Sequence, residues 1–219
     1  TGSDILDAEV FLQGAEILFD AAREFKDLAF LDFGGGFKVA YKNGDITTDI
    51  QDVGKKVSAA FKKFCKEYGR ELEIWFEPGK FLVSECGYLL TKANVVKPTP
   101  ATTFVGVNSG LNHLLRPMMY DAYHSVVNIS KLDGPERVYT IVGYICETDT
   151  IAADRKIKEV KEGDIIAIKN AGAYGYSMSS NYNSRFRPAE VLILNEKDYL
   201  IRKRESMEDI LKNQISIDF

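Results

Sequence analysis

The run Leu28-Ala29-Phe30-Leu31-Asp32-Phe33-Gly34-Gly35-Gly36-Phe37 constrains the fold more than any other stretch of the chain. Its apolar first half reads as a short buried strand, and the consecutive glycines at its end form a turn that side chains would block. Before it, residues 7–26 are predicted helical, with Val10, Leu12, Ala15, Ile17, Leu18 and Ala22 available for one apolar face. After it, residues 50–68 read as a second helix and Glu71-Leu72-Glu73-Ile74-Trp75-Phe76 as a second buried strand, which runs into a loop at Glu77-Pro78-Gly79-Lys80. Helix, strand, loop, repeated, is the rhythm of βα units with parallel strands. Strands that end in glycine-rich or charged loops suit a (β/α)8 barrel, whose chemistry gathers at the C-terminal ends of its strands. Only about three such units can be placed, too few to close a barrel of eight. Residues 1–83 are therefore expected to be the last part of a barrel, its N-terminal half missing.

From residue 84 the pattern changes. Short β-rich runs at 87–91, 103–107, 139–143 and 164–168 are separated by turn residues, further candidate strands occupy 189–194 and 199–203, and 206–212 reads as a terminal helix. Residues 84–219 are expected to form a mostly β domain, a barrel or sandwich, which makes the whole an α/β plus β protein.

Charge and composition exclude several function classes. The net charge is −4 and basic residues are interspersed with acidic ones, so the electrostatic footprint of a nucleic-acid binder is absent. No apolar run is long enough to span a bilayer, and the first residues lack the layout of a secretion signal, which makes the cytoplasm the expected location. Cys65, Cys86 and Cys146 lack metal-ligand spacing, and with His113 and His124 they make a poor zinc set, so no metal is expected. Cys65 and Cys86 read as small buried hydrophobes, and the histidines as hydrogen-bonded structural residues.

Several motifs carry chemistry. Gly34, Gly35 and Gly36 let backbone amides approach an anion without a Cβ in the way, and phosphate is the natural guest. Glu77-Pro78-Gly79-Lys80 brings a carboxylate and an ammonium to the same end of the sheet. The segment from Asn108 to His124 mixes polar, aromatic and methionine side chains without helix or strand periodicity, as a site-lining segment does. In it, Arg116 offers a bidentate fork for a carboxylate and Tyr120 a hydroxyl on a rigid ring. Cys146-Glu147-Thr148-Asp149 follows an apolar strand and sets a thiol beside two carboxylates, which favour its neutral, proton-donating form. Gly172-Ala173-Tyr174-Gly175-Tyr176 and Asn181-Tyr182-Asn183 combine aromatic hydroxyls with small residues, as ligand-facing loops do.

Taken in order, Thr1-Gly2-Ser3, Gly-Gly-Gly-Phe at 34–37, Glu-Pro-Gly-Lys at 77–80, Arg-Pro-x-x-Tyr-x-Ala-x-His at 116–124, Cys-Glu-Thr-Asp at 146–149 and Ala-Gly-Ala-Tyr-Gly at 171–175 resemble the diaminopimelate decarboxylase family. Enzymes of this family are similar in fold to alanine racemase, with a (β/α)8 barrel that holds pyridoxal phosphate and a β domain. They assemble as homodimers with shared active sites and decarboxylate meso-2,6-diaminopimelate to L-lysine, the last step of lysine biosynthesis. The resemblance implies that Ser3, Gly34, Gly35, Gly36, Pro78, Gly79, Lys80 and Tyr174 hold the cofactor, with Glu77 on its pyridine nitrogen. It assigns Lys80, Arg116 and Tyr120 to substrate carboxylates, Glu147 to the distal amino group, Tyr174 also to the substrate, and Cys146 to proton return in the partner subunit's site. Three departures stand out. The family's Schiff-base lysine belongs to a region upstream of Thr1, Lys80 occupies a position where arginine is usual, and Cys-Glu-Thr-Asp is one residue shorter than the usual Cys-Glu-Ser-Gly-Asp. Alone, such a fragment is expected to be inactive. Two other readings remain: a related decarboxylase of ornithine, arginine or carboxynorspermidine, and a non-catalytic regulatory relative. Arg116 argues against the former, because it supplies the cation that a second carboxylate needs; the joint presence of Glu77, Cys146 and Tyr174 argues against the latter.

Overall fold

The computed structural model describes residues 2–217, and the chain divides into two compact units, one ending at Glu85 and one beginning at Cys86. Thr1, which opens the Thr-Gly-Ser run, lies outside the described residues.

In the first unit, helix α1 (Ala8–Ala22) starts where the Asp7 carboxylate accepts from the Glu9 amide at 2.9 Å. Its buried face is Ala8, Phe11, Ala15, Phe19 and Ala22, whereas Val10 and Ile17 are exposed. The expected face is thus rotated. Two apolar stripes share this helix, and the one carrying phenylalanines buries more area per residue. Phe19 stacks on Phe64 at 4.5 Å and Phe11 on Phe37 at 4.8 Å. Helix α2 (Ile50–Tyr68) is capped by Asp49, which accepts from Gln51 and Asp52, and ends at Gly69 with φ 78°, a left-handed cap suited to glycine. It turns Val53, Val57, Phe61 and Phe64 into the same core. Strands β1 (Phe30–Asp32) and β2 (Glu73–Trp75) pair in parallel, Leu31 opposite Ile74. The Glu77 to Lys80 loop is shorter than expected, because its last two residues already begin a short helix, α3 (Gly79–Val83). Cys65 packs against this core half-buried; Cys86 is exposed, contrary to the buried reading.

The second unit is built on one six-stranded mixed sheet. Strands β3 (Leu89–Pro98), β4 (Thr103–Val107), β5 (Val126–Asn128), β6 (Glu136–Val142), β7 (Thr150–Lys158) and β8 (Ile165–Ile168) lie in the order β5-β8-β3-β4-β6-β7. Only the β4–β6 pair is parallel. The edge strands β5 and β7 approach each other, so the sheet curls into a nearly closed barrel around Val105, Val107, Leu114, Ile141, Ile166 and Ile168. Strand β7 escapes a pattern reading because Asp154, at φ 53°, interrupts its alternation. The Asn108 to His124 segment, read as irregular, contains a one-turn helix α4 (Arg116–Tyr120) with Pro117 near its start, where a missing N–H costs nothing. A hairpin follows, β9 (Glu190–Leu194) and β10 (Lys197–Arg202), turning at Asn195 and Glu196, both with positive φ. Helix α5 (Met207–Leu211) begins with a Ser206–Asp209 capping box.

Candidate functional site

In the first unit the C-terminal ends of β1 and β2 draw three backbone segments together. Glu77 donates its amide to the Gly34 carbonyl at 2.8 Å, and Ile5 donates to Gly36 at 2.8 Å. The crowding explains two of the glycines. A Cβ on Gly35 would stand 2.3 Å from the Glu77 carbonyl oxygen, and one on Gly36 would stand 2.2 Å from that of Gly2. Gly34 is different: space around it is open, and its φ of 68° is what favours glycine. Neither the Gly35 nor the Gly36 amide donates a hydrogen bond among the described residues. Ser3 and Glu77 are exposed beside this cradle. The Lys80 ammonium pairs with the Asp4 carboxylate and lies 5.8 Å from the centre of the Tyr41 ring. Asp4 is a partner that the sequence reading overlooked, since nothing local marks a contact across 76 residues.

In the second unit the 143–149 loop links β6 to β7. Asp149 is buried, and its carboxylate accepts from the amides of Leu111 at 2.7 Å and Ile145 at 3.0 Å. Burial raises its pKa above the usual carboxylate value, against those two amides and with a small contribution from Glu147. A Cβ on Gly143 would lie 2.0 Å from its Oδ2, and one on Gly110 would lie 2.4 Å away. This corrects the expectation that Asp149 flanks the thiol: it clamps backbone. The neighbour of Cys146 is Glu147, with Sγ 3.5 Å from Oε2, and both residues are exposed. The other Glu147 oxygen accepts from the Tyr182 hydroxyl, which holds the Glu147 carboxyl below its ordinary range. Tyr182, in the 181–183 stretch expected to face a ligand, thus joins the group. The 180–186 segment is fastened by Ser180, which donates to the Asn112 carbonyl at 2.8 Å, and by His113 Nε2, 2.9 Å from the Phe186 carbonyl.

Arg116 is buried and Tyr120 exposed, one turn apart on α4. The Arg116 guanidinium meets His124 Nε2 at 3.0 Å, and His124 Nδ1 lies 2.8 Å from the Lys169 carbonyl. His124 is wholly buried. Burial first, then the charges of Arg116 and Arg155, outweigh the Lys169 carbonyl and hold its pKa at about 4. Tyr174 projects from a tight turn with φ 59° and is exposed, while a Cβ on Gly175 would collide with the Ala171 carbonyl at 2.2 Å. The sequence-predicted residues therefore form separate constellations. In the first unit 34–36 interlocks with 77–80 and, through Gly2 and Ile5, with the segment that carries Ser3; in the second, Cys146 and Glu147 share one loop, Arg116 and Tyr120 one helix, and Tyr174 another turn. A surface depression of about 310 Å³, lined by Arg23, Phe25, Lys26, Glu67 and Tyr68, lies at the C-terminal ends of α1 and α2 and includes none of them. Among the described residues no group of three His, Cys, Asp or Glu side chains could hold a metal ion, and no helix is long and apolar enough to cross a membrane.

A mixed, nearly closed sheet domain following βα units with a glycine cradle defines a class: residues 17–172 match the pyridoxal-dependent decarboxylase C-terminal sheet domain, and the chain belongs to that family. It is 41% identical to diaminopimelate decarboxylase of Methanothermobacter thermautotrophicus, over 97% of this chain and 51% of that enzyme. Among solved structures it resembles diaminopimelate decarboxylase from M. jannaschii, with a TM-score of 0.90 and 32% identity over 99% of this chain and 50% of that one. The Helicobacter pylori enzyme complexed with L-lysine gives a TM-score of 0.85 and 35% identity, over 96% of this chain and 52% of that one. The chain thus spans about half the length of the relatives it matches. The family's cofactor, pyridoxal phosphate, fits the cradle: the unspent amides of Gly35 and Gly36 and the open space over Gly34 suit a phosphate group.

Proposed function

We propose that the full-length protein decarboxylates meso-2,6-diaminopimelate to L-lysine and carbon dioxide, the last step of lysine biosynthesis, as a cytoplasmic homodimer with shared active sites. The observation that carries the substrate assignment is Arg116, a buried guanidinium on α4 with Tyr120 one turn away, in a chain 41% identical to a diaminopimelate decarboxylase. A substrate with a carboxylate at each end needs such a cation; ornithine and arginine do not.

In this reading the βα units up to residue 83 complete a (β/α)8 barrel with an upstream half that supplies the lysine holding the cofactor, and the β domain begins near residue 84. Ser3 and the amides of 34–36 hold the phosphate, with Pro78 and Gly79 shaping the adjoining turn and Tyr174 a further hydroxyl for phosphate or substrate. Bound there, pyridoxal phosphate supplies the electron sink that lets a carboxylate leave an α-carbon. Glu77 keeps the proton on its ring nitrogen. Arg116 and Tyr120 orient the substrate through its carboxylate. Lys80 can add a second cationic contact, which the substrate shares with Asp4 or takes from it. Glu147, kept anionic by the Tyr182 hydroxyl, receives the distal ammonium. Cys146 returns a proton to the α-carbon in the partner subunit's site.

Carbon dioxide release from meso-diaminopimelate, L-ornithine and L-arginine by the full-length, cofactor-loaded protein tests this. Release from meso-diaminopimelate is expected. Preference for either other substrate would reassign the specificity, and no release from any of them, with cofactor bound, would favour the regulatory relative.

A further inference from the structure

We infer that His124 is a positioning residue that presents the Arg116 guanidinium to the substrate carboxylate by acting as a neutral hydrogen-bond acceptor. The inference rests on the reading of Arg116 as the carboxylate-binding cation.

The geometry settles which nitrogen carries the proton. A carbonyl oxygen only accepts, so His124 Nδ1, 2.8 Å from the Lys169 carbonyl, is the donor. Nε2 is then left with its lone pair, and Arg116 donates to it at 3.0 Å. An imidazolium has no lone pair and would face the guanidinium as a second cation. Among the described residues, the charges that act on the ring are Arg116 on α4 and Arg155 on β7, both positive. Arg155 is itself anchored: its Nε donates to the His124 carbonyl at 3.3 Å, and its guanidinium lies 3.8 Å from the Tyr123 ring centre. Complete burial of His124 excludes the water that could otherwise compensate a proton. The ring is thus locked as one tautomer in one orientation. A planar guanidinium recognises a carboxylate through paired N–H groups only when its plane is fixed, and a rigid acceptor on one nitrogen fixes it.

The test uses full-length, cofactor-loaded enzyme and steady-state kinetics with meso-diaminopimelate. In His124→Gln the amide oxygen can stand near the place of Nε2; in His124→Asn the shorter side chain can still donate to Lys169 but cannot reach Arg116. His124→Asn should raise KM about tenfold, as loss of a hydrogen bond to a charged group does, with kcat within a factor of about two. His124→Gln should keep KM within about threefold, and in an Arg116→Ala background the two substitutions should become equivalent. A merely structural histidine would lower Tm in both variants without separating their KM values. If Arg116→Ala raises KM while the Asn and Gln variants match each other, the inference about His124 is overturned. If Arg116→Ala leaves KM unchanged, the carboxylate reading itself fails. Should neither His124 variant fold, imidazole 15N spectra of the unmodified enzyme decide: the Nδ1–H tautomer is expected from pH 8 to about 5.5, and an Nε2–H or protonated ring in that range overturns the inference.

Discussion

Replacing Asp149 by alanine removes both acceptors that tie the 143–149 loop to the turn at Leu111. The carboxylate holds two amides, Leu111 at 2.7 Å and Ile145 at 3.0 Å, at a buried position that water does not replace. An orphaned buried N–H costs roughly 1 to 3 kcal/mol, or about 4 kcal/mol for the pair. Relief of the burial penalty on the carboxylate returns part of this, leaving about 3 kcal/mol. For a domain of this size that lowers the melting temperature by roughly 6 to 12 °C. Asp149→Asn keeps one acceptor and sets an NH2 against the other amide, so it should melt below the unmodified protein as well. Thermal denaturation of the full-length protein, followed by circular dichroism, measures both. The pH dependence has a definite sign. The folded pKa of Asp149 is raised by burial, so the part of the stability linked to its proton is fully present below the ordinary value of 3.8 and is lost as pH rises through the folded value, a loss Asp149→Asn lacks, while the two amide bonds persist above it. Turnover should fall with stability, because this loop carries Cys146 and Glu147. A melting temperature for Asp149→Ala within about 1 °C of the unmodified protein would refute the clamp, since even one orphaned amide costs more.

Glu77→Gln in the full-length enzyme should lower turnover far more than cofactor retention; equal turnover at saturating cofactor would remove Glu77 from the ring nitrogen. Cys146→Ala should slow turnover by roughly 10²- to 10⁴-fold, the usual contribution of a general acid. Hybrid dimers of Cys146→Ala subunits with subunits lacking the cofactor-holding lysine should recover some activity, and verified hybrids without recovery would rule out shared sites. His124, held near 4 against an ordinary 6.5, contributes stability that is complete above about pH 6.5 and is lost as pH falls to about 4. The shift corresponds to about 3 kcal/mol. Melts of His124→Asn across pH 4 to 7 should lose that slope, and an unchanged slope would assign it to other groups.

Local chemistry made much of this protein legible in its sequence. Helix α2 is bounded by an aspartate cap and a left-handed glycine, both of which act within one turn, and its predicted span matches the observed Ile50–Tyr68. The glycine turn, the hairpin strands and the membership of the family all follow from short motifs. What tertiary structure decided was every contact between residues distant in sequence. The buried stripe of α1 went to Phe11 and Phe19 over Val10 and Ile17 because Phe33, Phe37, Phe61 and Phe64 lie opposite, a choice that helical periodicity leaves open. Lys80 gained a carboxylate from Asp4, Glu147 a hydroxyl from Tyr182, and Arg116 an imidazole from His124. Asp149 turned from the thiol to backbone amides because burial leaves a carboxylate no other solvent; Ile145 lies within its own loop, but only the folded barrel brings Leu111 within its reach.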